Sequence, residues 1–406
     1  MKQLTAVIIG AGNRGLIYGD YALKYPDELK IVAIAEPDPE RREFAARHYD
    51  LSGEALFNDW QDLFSHEKMA DIAMICTQDQ MHVEPARAAM NRGYHLLLEK
   101  PLAPTKEECR ELYNIYKESS SIVAVAHVLR STPFFRTLKE LLESGVIGPI
   151  RGIQHNENIG HLHYAHSYVR GNWRNKEESS PIILAKSCHD MDILLYLTGS
   201  GWKKISSFAS RDKFIPEKRP AGAPDRCTDG CLHRDDCPFY APEFYINTKG
   251  WLKEEHAREI IQKLQHSPYG RCVYACDNDV VEHQVVAIEF ENNIHAAFTM
   301  SAFTQETCRT IKIVGEEGEI RGHMERNEIE IFNFAKRRLS TIIPESRAEG
   351  HSGGDLFFVR DLLTTIRDPS IPLNCSLDGA LESHMMAFAA EESREREETL
   401  SPSELS

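Results

Sequence analysis

Hydrophobic and polar positions alternate along the chain in two different rhythms. Up to about residue 125, short apolar runs rich in β-branched residues alternate with polar stretches of helical character, such as residues 40–49 and 105–118. The apolar runs occupy residues 6–9, 31–35, 72–76, 95–98 and 122–126. Because a parallel strand is buried on both faces and is followed by a crossover helix, this rhythm predicts βαβ units in a doubly wound parallel sheet.

Farther along the chain, apolar and polar positions alternate within longer runs, at residues 285–290, 295–300, 310–314 and 328–332. Such alternation is typical of an antiparallel sheet with one covered face. We therefore predict an α/β Rossmann domain over residues 1–126 and an α+β domain with an open, mostly antiparallel sheet over residues 127–393. A stretch rich in Pro, Gly, Cys and charge, residues 211–280, indicates an insertion, and the charged, Ser-rich residues 394–406 predict a flexible tail.

Composition agrees with a two-domain globular protein. The chain has 406 residues, 42% of them hydrophobic and 27% charged, and no apolar stretch approaches the ~18 residues of a membrane span. A net charge of -15 argues against a nucleic-acid partner, because phosphate backbones select basic surfaces. The first residues lack the features of a secretory signal, so we expect a cytoplasmic protein without membrane partners.

The motif GAGNRG, residues 10–15, follows the first predicted strand and opens a segment compatible with a helix. Gly10 permits a tight turn, Gly12 permits close approach to a pyrophosphate, and Gly15 permits close packing of helix on strand, with Asn13 and Arg14 between them. Glu36 ends the second strand, where a carboxylate binds ribose hydroxyls and repels a 2′-phosphate. The motif predicts NAD binding in preference to NADP, although Arg41 and Arg42 weaken that preference, and a plain βα turn is the alternative.

A lysine follows another predicted strand in LLLEKPLA, where Glu99, Lys100 and Pro101 come directly after residues 95–98. The carboxyl ends of parallel strands face the crevice in which doubly wound sheets bind ligands. Pro101 holds the preceding residues in extended geometry. Lys100 is therefore a candidate site residue, with a solvated loop charge as the alternative.

Five motifs in order resemble those of the Gfo/Idh/MocA oxidoreductases, the family of glucose-fructose oxidoreductase and inositol dehydrogenase. They are GAGNRG, AEPDPERR at 35–42, TQDQMHVEPA at 77–86, EKP at 99–101 and ESGVIGPIRG at 143–152. The resemblance implies that Lys100 lies near the substrate hydroxyl and the nicotinamide. It also implies that Thr77 and His82 border the cofactor, that Glu99 and Pro101 shape the nicotinamide pocket, and that the second domain carries substrate specificity and oligomer contacts.

A second-domain motif of that family, D-x-x-x-H-x-x-D, is only partly present. His189 and Asp192 match it, but Ala185 stands at the first Asp position with Lys186 beside it. The resemblance implies that His189 reaches the reacting hydroxyl. The spacing of three places Asp192 on the same helix face, and Lys186 is a candidate for the charge that the missing Asp would have supplied. A structural core histidine is the alternative.

Oxidation of a secondary alcohol needs a base near the oxygen and a cation that stabilises the alkoxide-like transition state. Lys100 can fill either role, although an amine with an ordinary pKa of about 10.4 acts as a base at neutral pH only when that pKa is lowered.

Rings and guanidinium groups suited to a carbohydrate occur in GHLHYAHSYVRGNWRN, residues 160–175, and the candidates are His166, Arg170, Trp173 and Arg174. In HSGGD, residues 351–355, we predict a turn that opens a helix, with Asp355 as its N-cap and His351 as a pocket residue.

These observations favour an NAD-dependent oxidoreductase acting on a sugar, polyol or glycoside, in a homo-oligomer. A redox-assisted glycosidase needs the same first hydride transfer and is the first alternative. A catalytically silent binding or regulatory protein is the second, because a fold alone does not establish activity.

Five of the ten cysteines fall within the predicted insertion. A segment short of apolar residues needs a cross-link, and in a reducing compartment thiolates around zinc are better suited than a disulfide. We predict a structural zinc site of Cys227, Cys231, Cys237 and Cys276, with Cys272 as a competing ligand. An iron–sulfur cluster, free thiols and disulfides are the alternatives.

Overall fold

The computed structural model describes residues 2–247, 254–345 and 353–405. Its first sheet has the order β3-β2-β1-β4-β5-β6, and all of its pairings are parallel. The strands are β1 (Leu4–Ile9), β2 (Leu29–Ala35), β3 (Leu56–Phe57), β4 (Ile72–Ile75), β5 (His95–Leu98) and β6 (Val123–Val125). The helices between them are α1 (Asn13–Lys24), α2 (Pro39–His48), α3 (Trp60–Ser65), α4 (Val83–Asn91) and α5 (Lys106–Glu118). The predicted doubly wound parallel sheet is confirmed, and its order reverses between β1 and β4, where such sheets bind ligands.

The second sheet has the order β14-β13-β12-β11-β7-β10-β9-β8. Its strands are β7 (Ile150–Asn158), β8 (Trp202–Ser210), β9 (His283–Phe290), β10 (His295–Ser301), β11 (Cys308–Gly315), β12 (Gly318–His323), β13 (Glu328–Asn333) and β14 (Arg338–Ile342). Within the described residues β7 and β10 are parallel and the other pairs are antiparallel. The predicted open, mostly antiparallel sheet is confirmed.

Helices of the second domain cover one face of this sheet, which is why buried and exposed positions alternate along its strands. The helices after β6 are α6 (Pro133–Glu143), α7 (His161–Tyr164), α8 (Ile182–Ala185), α9 (Cys188–Thr198), α10 (Ala241–Asn247), α11 (Glu254–His266), α12 (Gly354–Arg367) and α13 (Leu377–Arg396), and of these α6, α9 and α13 pack against strands of the sheet. The cysteine-rich stretch connects β8 to β9 and contains α10 and α11. In the described part of the chain, no helix has the length and apolarity needed to cross a membrane.

Helix α12 belongs in space to the first domain, although we assigned it by sequence to the second. Phe358, Val359 and Leu362 are buried in one cluster with Ile8 and Tyr18. The helix begins after Gly353 without a side-chain cap, so the prediction that Asp355 is the N-cap is wrong. Apolar burial against the first sheet, rather than chain order, places this helix.

The residues after Arg394, predicted to form a flexible tail, are packed against the second domain. Backbone hydrogen bonds of 2.8 Å join Leu400 and Ile205 in both directions, and the side chains of Leu400 and Leu405 are buried. The prediction is wrong because β8 is an edge strand of its sheet and offers free backbone groups, while two leucines in a polar segment provide apolar anchors.

Candidate functional site

The glycine turn after β1 has the geometry that its sequence predicts. Gly10 has φ of +89°, and a Cβ there would lie 2.7 Å from the carbonyl oxygen of Cys76. A Cβ on Gly15 would lie 2.3 Å from the oxygen of Gly10, whereas one on Gly12 would meet nothing within 4 Å. The fold therefore requires glycine at 10 and 15, while Gly12 faces open space before α1, which begins at Asn13. Such a cradle fits a pyrophosphate at a helix N-terminus.

The Glu36 carboxylate is fixed beside this turn. It accepts the N–H of Ala11 at 2.8 Å and the N–H of Asp38 at 3.1 Å. Arg42 donates to the backbone carbonyls of Glu36 and Pro37. The acidic group thus stands at the end of β2, where the ribose contact is predicted, and its role there stays a prediction.

His82 connects the loops that follow β4 and β5. Its buried ring makes hydrogen bonds of 2.6 Å to the carbonyl of Pro101 and 3.1 Å to the carbonyl of Thr77. Thr77 lines the cavity described below, whereas the other two residues do not. His82 and Pro101 therefore lie outside the cavity lining, where they hold the loops after β4 and β5 in position.

Arg14 links three parts of the chain. It donates to Glu99 at 2.8 Å and to Asp355 at 2.6 Å, and it lies over the ring of Tyr18. Burial raises the pKa of Glu99, but the charges of Arg14 and Lys100 outweigh it, so the pKa lies below its ordinary value. Glu99 is therefore ionised at neutral pH.

Lys100 projects from the end of β5 into a cavity of about 420 Å³ between the two domains. Its Nζ donates to the backbone oxygen of Ala185 at 2.7 Å, and His189, on α9, lines the same cavity. The lining residues are Gly12, Asn13, Arg14, Cys76, Thr77, Gln78, Asp79, Glu99, Lys100, Ala126, Leu129, His163, Tyr168, Trp173, Ala185, Lys186, His189 and Arg309. The structure thus brings the predicted catalytic pair to one cavity together with the glycine turn.

A buried ionic network lies under the second-domain wall of this cavity. Lys186 lies 3.3 Å from Glu157, and Arg309 lies 2.5 Å from the same carboxylate. Asp190 accepts from Arg309 at 2.8 Å and contacts the ring nitrogen of His155 at 2.7 Å. Burial raises the pKa of Asp190, but Arg309 and His155 outweigh it and lower the pKa well below its usual range.

Asp192, predicted to bind substrate, does not line the cavity. It is buried and accepts from Arg130 at 2.6 and 2.7 Å. The helix turn that presents His189 to the cavity directs Asp192 to Arg130, while Asp190 joins the network around Arg309. The predicted contact of Asp192 with substrate is therefore corrected to an ion pair behind the cavity.

Of the four residues predicted to bind a carbohydrate, only Trp173 lines the cavity. Arg170 is buried and donates to the carbonyls of Arg271 and Phe239, so it anchors the inserted segment. Arg174 pairs with Asp277 at 3.0 Å. Periodicity could not reveal these partners, because they lie about a hundred residues away along the chain.

His166 faces a second cavity, of about 440 Å³. His163 lines both cavities and separates them, and burial together with Lys186 lowers its pKa to about 4. The second cavity is lined by Gly160, His161, Leu162, His163, His166, Phe244, Tyr245, Gln305 and Thr307. His351 lies outside the described residues.

Sequence reasoning missed Asp79 and Arg309, and placed no role on Glu157. Arg309 lies on the same sheet face as the buried Ile311 and Ile313. A charged residue at a position that the strand periodicity predicts to be buried is a signal in the sequence that could have identified Arg309 as a site residue. Glu157 continues the buried face of β7 in the same way.

The predicted zinc site is contradicted by the geometry. Among the described residues, the group of metal-binding side chains whose ligand atoms lie within 4.8 Å of one another is Glu306, Cys308 and His323. It contains none of the predicted ligands Cys227, Cys231, Cys237 and Cys276. All ten cysteines are free thiols.

These thiols have other surroundings in the structure. Burial raises the pKa of Cys237 and raises that of Cys276 to about 11. Cys276 donates to the carbonyl of Cys272, and Cys227 accepts from Arg170. The segment is instead stabilised by a small apolar cluster of Cys227, Ala241 and Leu264.

Comparisons with known proteins agree with both domains. Residues 4–127 match the NAD-binding Rossmann fold of the Gfo/Idh/MocA oxidoreductase family, and residues 135–321 match the C-terminal domain of that family. The oxidoreductase YteT of Bacillus subtilis is 21% identical over 356 residues, 84% of this chain and 83% of that protein.

Levoglucosan dehydrogenase of Pseudarthrobacter phenanthrenivorans is 34% identical over 157 residues, 37% of this chain and 40% of that protein, so the match spans less than half of its length. A structure of levoglucosan dehydrogenase in complex with NADH and levoglucosan superposes with a TM-score of 0.75 at 20% identity. The superposition covers 98% of this chain and 99% of that one.

Proposed function

Because this chain belongs to the Gfo/Idh/MocA oxidoreductase family, we propose that it transfers a hydride between a secondary alcohol of a sugar, polyol or glycoside and NAD. The observation that carries the proposal is the single cavity that Lys100 and His189 share with Gly12 and Asn13 of the glycine turn. NAD supplies the hydride acceptor when it is bound.

Residues of the glycine turn, of the end of β2 and of the cavity have separate roles in this proposal. Gly12 and Asn13 hold the pyrophosphate, and Glu36 holds the ribose hydroxyls. Lys100, kept in place by the carbonyl of Ala185, stabilises negative charge on the substrate oxygen, and His189 accepts the hydroxyl proton.

Sugar chemistry is supported by the relatives. Levoglucosan dehydrogenase aligns over part of the chain, and inositol 2-dehydrogenase of Corynebacterium glutamicum is another relative. Trp173 and Tyr168 on the cavity wall offer ring surfaces for the C–H faces of a sugar.

The direct test begins with mass spectrometry of nucleotide bound to the natively purified protein. A panel of sugars, polyols and glycosides is then assayed by NADH absorbance. We expect bound NAD(H), turnover of at least one panel member, and weaker binding of NADP(H) than of NAD(H) in calorimetry. Nucleotide binding without turnover would favour the silent binding protein instead.

A redox-assisted glycosidase is the second candidate, and the second cavity favours it. His163 lines both cavities, so the second cavity adjoins the first. Phe244 and Tyr245 line the second cavity and offer ring surfaces for an aglycone or a second sugar. In such a reaction a ring carbon loses a hydride to NAD, a neighbouring proton and the aglycone are eliminated, water adds to the resulting double bond, and the hydride is returned to the carbonyl. Release of aglycone with catalytic NAD and no net NADH would support this candidate.

We also propose a homo-oligomer formed through the uncovered face of the second sheet. Phe208 and Val285 are cross-strand neighbours on that face and are 71% and 37% exposed. Exposed apolar side chains that adjoin one another are typical of interfaces. Light scattering should report a multimer that Phe208→Glu weakens, and a monomeric parent protein would contradict the proposal.

A further inference from the structure

Two cationic side chains of the second domain line the main cavity. Lys186 follows α8 directly, and Arg309 lies on β11. They stand on the second-domain wall, and Lys100 reaches the same wall at Ala185 from the first domain. Three basic side chains therefore meet at one cavity.

The carboxylates that pair with these cations lie behind them. Glu157 is 1% exposed and holds Lys186 and Arg309, and Asp190 is fully buried and holds Arg309. Neither carboxylate lines the cavity. A ligand entering on this side therefore meets donors rather than acceptors.

Arg309 keeps a donor for such a ligand. Its Nε and Nη2 are taken by Asp190 and Glu157, while Nη1 has no hydrogen-bond partner among residues 2–247, 254–345 and 353–405. The Lys186 ammonium has Glu157 as its one carboxylate contact within the described residues and three protons to donate. A planar guanidinium edge beside an ammonium is well suited to a carboxylate.

The charges around Lys186 also favour an anionic ligand. Burial lowers its pKa, Glu157 raises it, and Arg309 and Lys100 lower it further, so that the pKa lies below its ordinary value. An anion bound in the cavity would relieve this repulsion and would be held more tightly as a result. The titratable and charged groups that act on Lys186 are Glu157, Arg309, Lys100, Asp190 and His163.

We propose that the natural substrate is an anionic sugar acid, whose carboxylate is bound by Lys186 and Arg309 while its hydroxyl meets Lys100 and His189. This inference rests on the proposed function. Asp79, a carboxylate elsewhere on the cavity wall, is engaged with Ser179 and Trp173 and suits substrate hydroxyls. A neutral sugar would give Nη1 of Arg309 and the remaining protons of Lys186 no charged acceptor, because Glu157 and Asp190 engage only their other donors.

The test compares matched substrates with the NAD-saturated protein. The pairs are D-glucuronate with D-glucose, D-galacturonate with D-galactose, and the methyl glycosides of each. NADH formation should give at least a ~10-fold higher kcat/KM for an acid than for its neutral partner, as expected for charge-assisted hydrogen bonds. The advantage should shrink as the salt concentration rises.

The variant Lys186→Gln should raise KM for the acid by at least ~10-fold with a smaller change in kcat, because the lost contact is made in ground state and transition state alike. Lys312→Gln is the matched control, since Lys312 lies on the same strand as Arg309 and pairs with Glu319 outside the cavity. In the unmodified protein, KM for the acid should rise at alkaline pH as Lys186 loses its proton, whereas KM for the neutral sugar should not. This pH readout does not depend on the folding of a variant.

Failure of the sugar-acid inference can be distinguished from failure of the proposed function. Equal or better turnover of the neutral sugars, or an unchanged KM in Lys186→Gln, would overturn the sugar-acid inference and leave the proposed function intact. The absence of NADH formation and aglycone release with every acid and every neutral sugar would overturn both.

Discussion

Lys100 illustrates how a single residue joins the two domains at the candidate site. Its backbone ends β5 of the first sheet, and its Nζ reaches the carbonyl of Ala185 at the end of α8. Residue 185 is Ala rather than the Asp of the family motif, and it is its backbone oxygen that accepts from the lysine. Lys186 and His189 line the same cavity.

For Lys100→Ala we expect turnover to fall by at least ~100-fold with NAD affinity nearly intact, because a group acting on the substrate oxygen is removed. Steady-state kinetics and calorimetry measure the two quantities. Lys203→Ala, on the exposed side of β8, is the control and should retain activity. Normal turnover in Lys100→Ala would make the lysine a purely structural residue.

For Gly12→Val, the structure separates the expected effect on NAD binding from any effect on folding. Because a Cβ at this position meets nothing within 4 Å, the variant should fold with an unchanged circular dichroism spectrum and lose NAD binding. Gly15→Val is the contrasting variant, since its Cβ would lie 2.3 Å from a backbone oxygen, and it should lose stability. Full NAD affinity in Gly12→Val would show that the turn does not hold a pyrophosphate.

At the scale of elements, the floor of the site consists of charged side chains that lie at the ends of otherwise apolar strand faces. β7 supplies His155 and Glu157, β11 supplies Arg309, and α9 supplies Asp190. The carboxylates of these ion pairs are buried, so removal of a cationic partner leaves an unpaired buried charge. The same sheet is extended at its other edge by the segment around Leu400.

The docked segment gives a prediction about stability. Leu400→Ala should lower the free energy of unfolding by about 2–3 kcal/mol, because a side chain only 1% exposed is truncated. Denaturant titration measures the change. Leu339→Ala, at a 57% exposed position of β14, should change stability by less than about 0.5 kcal/mol. Equal effects of the two substitutions would contradict the docking of the segment.

At the scale of the whole molecule, the domains are joined by contacts that converge near Lys100. Lys100 donates to the carbonyl of Ala185 across the cavity, and His384 of α13 accepts the N–H of Leu102 at 3.0 Å. The other ring nitrogen of His384 donates to Ala380 at 2.6 Å, so the ring must be neutral to make both bonds. The loop after Lys100 therefore depends on an unprotonated histidine.

This arrangement predicts acid sensitivity. Burial and neighbouring His127 lower the pKa of His384 to about 3, whereas an unfolded histidine has a pKa of about 6.5. Stability is therefore fully present above pH ~6.5 and falls as the pH decreases toward ~3, by up to ~1.4 kcal/mol per pH unit for this group. His163 contributes in the same direction, with a pKa of about 4.

Denaturant titration at several pH values from 7 to 5 measures this slope. His384→Gln removes the titrating ring and should flatten the slope, even if the variant is less stable at every pH. His295→Gln, at an exposed position of β10, should leave the slope unchanged. Parallel slopes for His384→Gln and the parent protein would contradict the assignment.

The sequence by itself determined the features that depend on local patterns. Burial periodicity predicted both sheets, the glycine motif predicted a turn whose steric demands are now visible at Gly10 and Gly15, and the strand-end position predicted that Lys100 faces a crevice. The motifs identified the family correctly. Each of these is encoded within a few residues of chain, through dihedral preference or alternation.

Only the tertiary structure decided which distant groups meet. It placed Arg309, Glu157 and Asp190 together under the cavity, turned Arg170 and Arg174 toward the insertion, docked Leu400 on an edge strand, and kept four cysteines from sharing an ion. Contacts between residues a hundred positions apart depend on strand order and helix packing, and no local pattern carries that information.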